Sequence, residues 1–334
     1  MGVIHFLNVG DGDCSIIEHS SGHVTMIDIC NGNANANYST DNIAMDKTVA
    51  FKESLCGNRN QKNYPVNPIE YLKSLSSEKM IFRFILTHPD MDHLDGIKNL
   101  FDEFKISNFW DTNNNKRMNE SGFGGYKKED WDFYQKIRRS KDDITVLNLY
   151  DGSKGKYYNC DDDGGKGDYL QVLCPTKELI RDINTAHSGY NNCSYVILYN
   201  ECDKKILFCG DGEAKEWDAL LEKHEDILTD IDVLIAPHHG RKSGGNDDFL
   251  KILNPKLTLF GNAKSKDLNY YDWINLGLRH LTNNQGGSFI LEHCDGGIDV
   301  YCQYKPFAEA FIRENGRKKY KKDKKDAWYL LTIN

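Results

Sequence analysis

Thr87-His88-Pro89-Asp90-Met91-Asp92-His93 places two imidazoles and two carboxylates within six consecutive residues, directly after the apolar run 81–86. Carboxylates crowded beside a core strand repel one another and lose hydration, so a bound divalent cation is their usual compensation. The stretch therefore reads as a metal site at a strand end. Downstream, the apolar positions Leu94, Ile97, Leu100, Phe101 and Phe104 follow helical spacing, which makes the unit strand, ligand loop, helix.

Two further strand ends carry the same chemistry. Phe208-Cys209-Gly210-Asp211-Gly212-Glu213 delivers a carboxylate after an apolar run, with glycines that let backbone approach a ligand. Asp232-Val233-Leu234-Ile235-Ala236-Pro237-His238-His239-Gly240 ends in adjacent imidazoles. Together the three segments offer enough N and O donors for two divalent ions. Taken alone, Asp211 reads as a turn or cap residue; the 88–93 cluster changes that reading.

Around these segments, apolar runs at 3–9, 14–18 and 24–28 predict a meander, and 68–75 a helix. Strands are expected at 170–173, 194–199, 205–209, 232–236, 288–292, 298–303 and 328–333, with a helix at 214–223. That alternation predicts an α/β protein. The polar segments 31–67 and 112–167 read as surface insertions, the second with a short helix near Trp131, Phe133 and Tyr134. Residues 1–303 are then one domain and 304–334 a basic extension ending in a strand, packed on that domain.

The 334 residues, 39% hydrophobic and 11% aromatic, suit a packed core. A formal net charge of -8 argues against a surface that coats nucleic acid indiscriminately, although eight basic residues cluster between Arg313 and Lys325, with Tyr320 among them. This cluster has two readings, a solvated face and a grip on a nucleic-acid backbone. No apolar run approaches the roughly 20 residues of a membrane span, so no membrane partner is expected. Ten cysteines without a CxxC pair or an apolar leader read as reduced thiols of a cytoplasmic protein. The run Asp161-Asp162-Asp163 lacks the spaced ligands of a calcium loop and reads as a solvated acidic loop.

Gly10-Asp11-Gly12-Asp13, Asp28, the Thr-His-x-x-x-Asp-His frame at 87–93, Gly210-Asp211 and Pro-His-His-Gly at 237–240 resemble, in order and context, the metallo-β-lactamase superfamily. Within it the chain looks most like the nuclease-related branch of the competence protein ComEC, over residues 3–243. The resemblance implies an αββα four-layer sandwich with surface insertions and a C-terminal β extension. It also implies a pair of divalent ions, zinc or manganese with magnesium also admitted. His88 and Asp90 would hold one ion, Asp92 and His93 the other, with Asp211 bridging and His239 as the last histidine. Asp90 stands where most members have histidine, a harder ligand that shifts preference from zinc toward manganese or magnesium.

Asn192 and His187 are the candidates for a third ligand of the first ion, and Asp28 for a hydrogen-bonding support of a ligand. Asp92 would orient the attacking water, His238 assist the leaving oxygen, and Arg241, Lys242 and Ser243 contact a substrate phosphate. The implied activity is hydrolysis of phosphodiester bonds in DNA or RNA, with protein partners in a multi-component system. The alternatives are a small-molecule phosphodiesterase, esterase or lactonase, and a regulatory protein that keeps the fold without turnover.

Overall fold

The computed structural model describes residues 2–34, 59–141, 144–159, 167–242, 248–264, 267–294, 296–315, 321–322 and 327–334. Among them, one sheet contains β1 (Val3–Phe6), β2 (Ser15–Glu18), β3 (Val24–Ile27), β4 (Met80–Ile85), β5 (Lys105–Trp110), β6 (Thr145–Leu147), β13 (Phe289–Cys294), β14 (Gly297–Cys302), β15 (Lys321–Lys322) and β16 (Ala327–Ile333). The other contains β7 (Leu170–Cys174), β8 (Val196–Glu201), β9 (Lys204–Phe208), β10 (Val233–Ile235), β11 (Leu257–Phe260) and β12 (His280–Thr282). Strand order is β15-β16-β14-β13-β1-β2-β3-β4-β5-β6 in the first and β12-β11-β10-β9-β8-β7 in the second.

Side-chain alternation explains why the strands of the second sheet are apolar at nearly every position. Ile197 and Tyr199 of β8, Ile206 and Phe208 of β9, and Val233 and Ile235 of β10 point into a central core shared with Ile4, Phe6, Ile17, Ile27 and Ile85 of the first sheet. Their neighbours Val196, Leu198, Leu207 and Leu234 face the other way, against Trp217 and Leu220 of α5 (Ala214–Leu228) and Phe249, Leu250 and Leu253 of α6 (Phe249–Leu253). A strand covered on both faces needs a continuous apolar run, and this is the pattern seen.

The first sheet is covered in the same way. Ile69 and Leu72 of α1 (Pro68–Leu75), Ile97 and Leu100 of α2 (Ile97–Glu103), and Trp131, Tyr134 and Ile137 of α3 (Lys128–Ile137) pack on its outer face with Ile16, Met26 and Phe84. Asn67 caps α1 by accepting from the Ile69 amide, ahead of Pro68 at the first helical position. Helices, sheet, sheet, helices make the four-layer αββα sandwich that the resemblance implied.

The segment expected as a polar insertion, 112–167, thus supplies part of the helical layer through α3, and Tyr158 reaches the central core. At the C-terminus, α9 (Lys305–Glu314) places Phe307 and Phe311 in that core, and β16 lies inside the sheet between β14 and β15. Residues 35–58, the acidic run 161–163, Ser243 and most of the basic cluster fall outside the described residues. Among the described residues no helix is long and apolar enough to cross a membrane.

Four strands position the site. β3 and β4 run parallel in the first sheet and β9 and β10 run parallel in the second, and each leads at its C-terminal end into a segment bearing His or Asp. Strand ends of this kind are where backbone leaves the ladder and side chains can converge on a ligand.

Candidate metal centre

Asp28 follows β3 in the left-handed region, φ 57°, and its carboxylate organises the loop after β4. Its Oδ1 accepts from the Thr87 amide at 2.7 Å, and its Oδ2 accepts from Thr87 Oγ1 at 2.6 Å and meets His93 Nδ1 at 2.8 Å. A carboxylate only accepts, so His93 must carry its proton on Nδ1, which leaves the Nε2 lone pair facing inward. With the Thr87 hydroxyl proton given to Asp28, Thr87 Oγ1 accepts from His88 Nδ1 at 3.2 Å, and His88 Nε2 also turns inward. His239 has a carboxylate beside it too, its Nδ1 lying 2.9 Å from Asp13 Oδ1 as an ion pair without hydrogen-bond alignment.

Close backbone approaches hold these loops together. A Cβ on Gly12 would sit 2.2 Å from the Asp92 carbonyl oxygen, and one on Gly210 would sit 2.8 Å from Thr87 Cβ. Asp211, next to Gly210, donates its amide to Ser194 Oγ at 3.2 Å.

The inward atoms converge on Asp211. Its Oδ1 lies 3.2 Å from His93 Nε2 and 3.5 Å from His239 Nε2, and its Oδ2 lies 3.8 Å from His88 Nε2 and 3.4 Å from His238 Nε2. Asp92 Oδ2 is 3.6 Å from His239 Nε2. Asp92, His93, Asp211 and His239 can each point one donor atom so that all lie within 4.8 Å of one another; among the described residues they are the only such group of three or more. His93 Nε2, His239 Nε2 and Asp211 Oδ1 are buried without a hydrogen-bond partner. Buried polar atoms without partners are costly, and two carboxylates with two imidazoles suit a borderline divalent ion, so the residues fit a metal.

The same crowding governs protonation. Burial alone would raise the Asp211 carboxyl, but His239, His93 and His88 around it hold it well below the usual range. Asp92 is likewise held down, against its burial, by His239 and His93. Burial works against charge on His239 too, yet Asp13 and Asp211 pull its pKa up to about 10. His93 moves the same way under Asp211 and Asp28, whereas burial wins at His88 and lowers it. Where the carboxylates favour a second proton, on His93 and His239, a metal taking Nε2 would displace that proton.

The other residues singled out in the sequence separate clearly. His238 is adjacent to the cluster and less enclosed than His239; the two occupy consecutive left-handed positions, φ 52° and 56°. Asp90 pairs with Lys116, and its Oδ1 lies 3.9 Å from His88 Nε2. Asn192 donates to Glu213 at 3.1 Å and accepts from the Glu216 amide at 3.3 Å, while His187 is exposed at the C-terminal end of α4 (Lys177–Ala186). Arg241 and Lys242 follow the histidine loop, half-buried and exposed. Sequence reasoning gave Asp13 no role beyond its place in the Gly10–Asp13 segment of the resemblance and gave Lys116 none; only the folded chain brings them to His239 and Asp90.

Asp28 gives a direct test of the hydrogen-bonded support. Asp28→Asn can present an amide N–H to His93 Nδ1, which displaces the proton to Nε2 and spoils the ligand. Metal affinity, followed by titration of the metal-free protein, is expected to fall about 10- to 100-fold.

No family model and no curated protein matches the sequence. Solved structures do. They include a protein from Thermotoga maritima assigned as a Zn-dependent hydrolase of the metallo-β-lactamase superfamily, at 11% identity over 82% of this chain and 85% of that one, TM-score 0.36. A diphosphatase of the PhnP family matches at 11% identity over 88% and 99% of the two chains, TM-score 0.43. The diiron β-hydroxylase CmlA from Streptomyces venezuelae matches at 12% identity over 77% and 44%, TM-score 0.36. At these values the likenesses carry no argument about this chain, and the chemistry rests on the side chains themselves.

Proposed function

We propose that this chain is a metal-dependent hydrolase that cleaves phosphodiester bonds, with DNA or RNA as its substrate. The observation that carries the reading is the convergence of Asp92, His93, Asp211 and His239 on one point, with His93 Nε2, His239 Nε2 and Asp211 Oδ1 buried without a hydrogen-bond partner. A divalent ion held by these four residues supplies Lewis-acid polarisation of a phosphoryl oxygen and acidifies water near neutral pH. The residues around it do the rest. Asp92, the least enclosed of the four, accepts a hydrogen bond from the attacking water and orients it. His238 faces the same pocket and hands a proton to the departing oxygen; burial lowers its pKa, which makes its cation a ready donor but a minority species at neutral pH. Arg241 and Lys242, beside the histidine loop, supply charge-assisted donors for phosphate oxygens.

The acidic balance of the chain, -8 overall, favours the second reading, a small diester as substrate. Incubation with Mn²⁺ or Zn²⁺ and, in parallel, plasmid DNA, single-stranded RNA and bis(p-nitrophenyl) phosphate separates the cases. Nucleic-acid cleavage that stops on chelation is the expected result. Turnover of the small ester alone would reject the nuclease reading, and a bound ion with no turnover of any substrate would point to a regulatory protein.

A further inference from the structure

We infer that the ammonium of Lys116 is the second cation of this site, so that the chain holds one divalent ion beside a lysine where a binuclear centre would hold two ions; the inference rests on the metal-dependent reading above. His88 and Asp90 are the residues a second ion would need, yet they complete no group of three convergent donors among the described residues. His88 Nε2 is buried without a hydrogen-bond partner and faces Asp211 Oδ2 at 3.8 Å, but that carboxylate already belongs to the first group, Asn192 is hydrogen-bonded to Glu213 and Glu216, and His187 is exposed at the end of α4. The place is taken instead by Lys116, whose Nζ pairs with Asp90 Oδ1, the same oxygen that His88 Nε2 faces at 3.9 Å. A dication entering there would meet the ammonium at close range and lose the oxygen it needs.

The lysine is presented by a built support rather than a loose loop. Asn115 receives a hydrogen bond from Tyr190 Oη at 2.7 Å and is tied to Asn184 through its own amide and side chain, both at 2.8 Å. Asn114 donates to Tyr134 Oη at 3.0 Å, and Arg138 donates to its carbonyl at 2.7 Å. Lys116 Nζ also lies 5.7 Å from the Tyr190 ring centroid, a cation–π contact. With 18% and 31% of their side chains exposed, Lys116 and Asp90 stand at the mouth of a centre whose histidines His88, His93 and His239 are fully covered. An ammonium has three N–H donors, so after pairing with Asp90 it retains donors for a non-bridging phosphoryl oxygen.

Metal analysis of the full chain, dialysed after loading with Mn²⁺ or Zn²⁺, is expected to give one ion per chain, and Asp90→Asn should still hold it. Lys116→Met should also keep the ion but bind inorganic phosphate about tenfold more weakly, the loss of one charge-assisted hydrogen bond, with Lys116→Arg restoring part of the affinity. Two tightly held ions in the wild type, loss of the ion in Asp90→Asn, or unchanged phosphate affinity in Lys116→Met would each overturn the inference while leaving the metal-dependent reading intact. A wild-type chain that binds no ion would overturn both.

Discussion

Replacing Asp92 and His93 together by alanine should yield a folded protein that no longer retains a divalent ion and whose hydrolytic rate is lower by about a thousandfold or more. The size follows from removing several kcal/mol of transition-state stabilisation at about 1.4 kcal/mol per factor of ten. Both residues belong to the convergent group, and their loss leaves Asp211 and His239 as the only members. Metal content by mass spectrometry, initial rates on the cleaved substrate and far-ultraviolet circular dichroism form one experiment. A variant that stays folded and metal-free yet turns over at the wild-type rate would dissociate the cluster from the chemistry.

The second large effect concerns stability, at the opposite end of the strands. Arg83 of β4 and Asp168 have side chains only 1% exposed and pair at 2.6 Å. Arg83 also donates to Thr25 Oγ1 at 2.8 Å and to the Tyr157 carbonyl at 2.7 Å, while Asp168 additionally accepts from Ser21 at 2.6 Å. Asp168→Ala would leave a guanidinium buried without its counter-charge, and a loss of about 3–5 kcal/mol in unfolding free energy is expected from urea titration. His19 shares this pocket, 3.5 Å from Arg83, and burial drives its pKa down from 6.5 to about 3. In the unfolded chain this histidine gains its proton near pH 6.5, whereas the folded chain resists it. Its contribution is therefore complete above about pH 6.5 and is lost as pH falls toward about 3. A His19→Gln variant should show a flatter loss of stability across that window; an unchanged slope would assign the acid sensitivity elsewhere.

The parts of the fold readable from sequence were those with a strong local signature. Runs such as Ile206-Leu207-Phe208 are apolar on both faces because two different cores receive them, and that pattern survives without any knowledge of partners. In β6, β11 and β12 a threonine (Thr145, Thr258, Thr282) breaks or bounds the few apolar residues, whereas the equally short β10 lies in the unbroken apolar run 233–236. α3 was legible only as a short helix in a polar stretch: its three core residues, Trp131, Tyr134 and Ile137, are spaced for burial but surrounded by charge. Within the site, His88 to His93 announce themselves by density. Asp13 and Lys116 do not, because one sits in an Asp-Gly turn that explains itself and the other follows three asparagines with nothing nearby in sequence to suggest a carboxylate partner.

Asp92 and His93 leave the first sheet, whereas Asp211 and His239 leave the second. An ion gripping all four would rivet the two halves of the sandwich together across their shared interior, at the edge where the strands finish. Such binding favours the folded state by about 2.7 kcal/mol when free metal exceeds its dissociation constant a hundredfold. The lifetime of the molecule against heat or proteases would then track the supply of metal, and starvation for it would silence the chain by dismantling the join as well as by emptying the reaction centre.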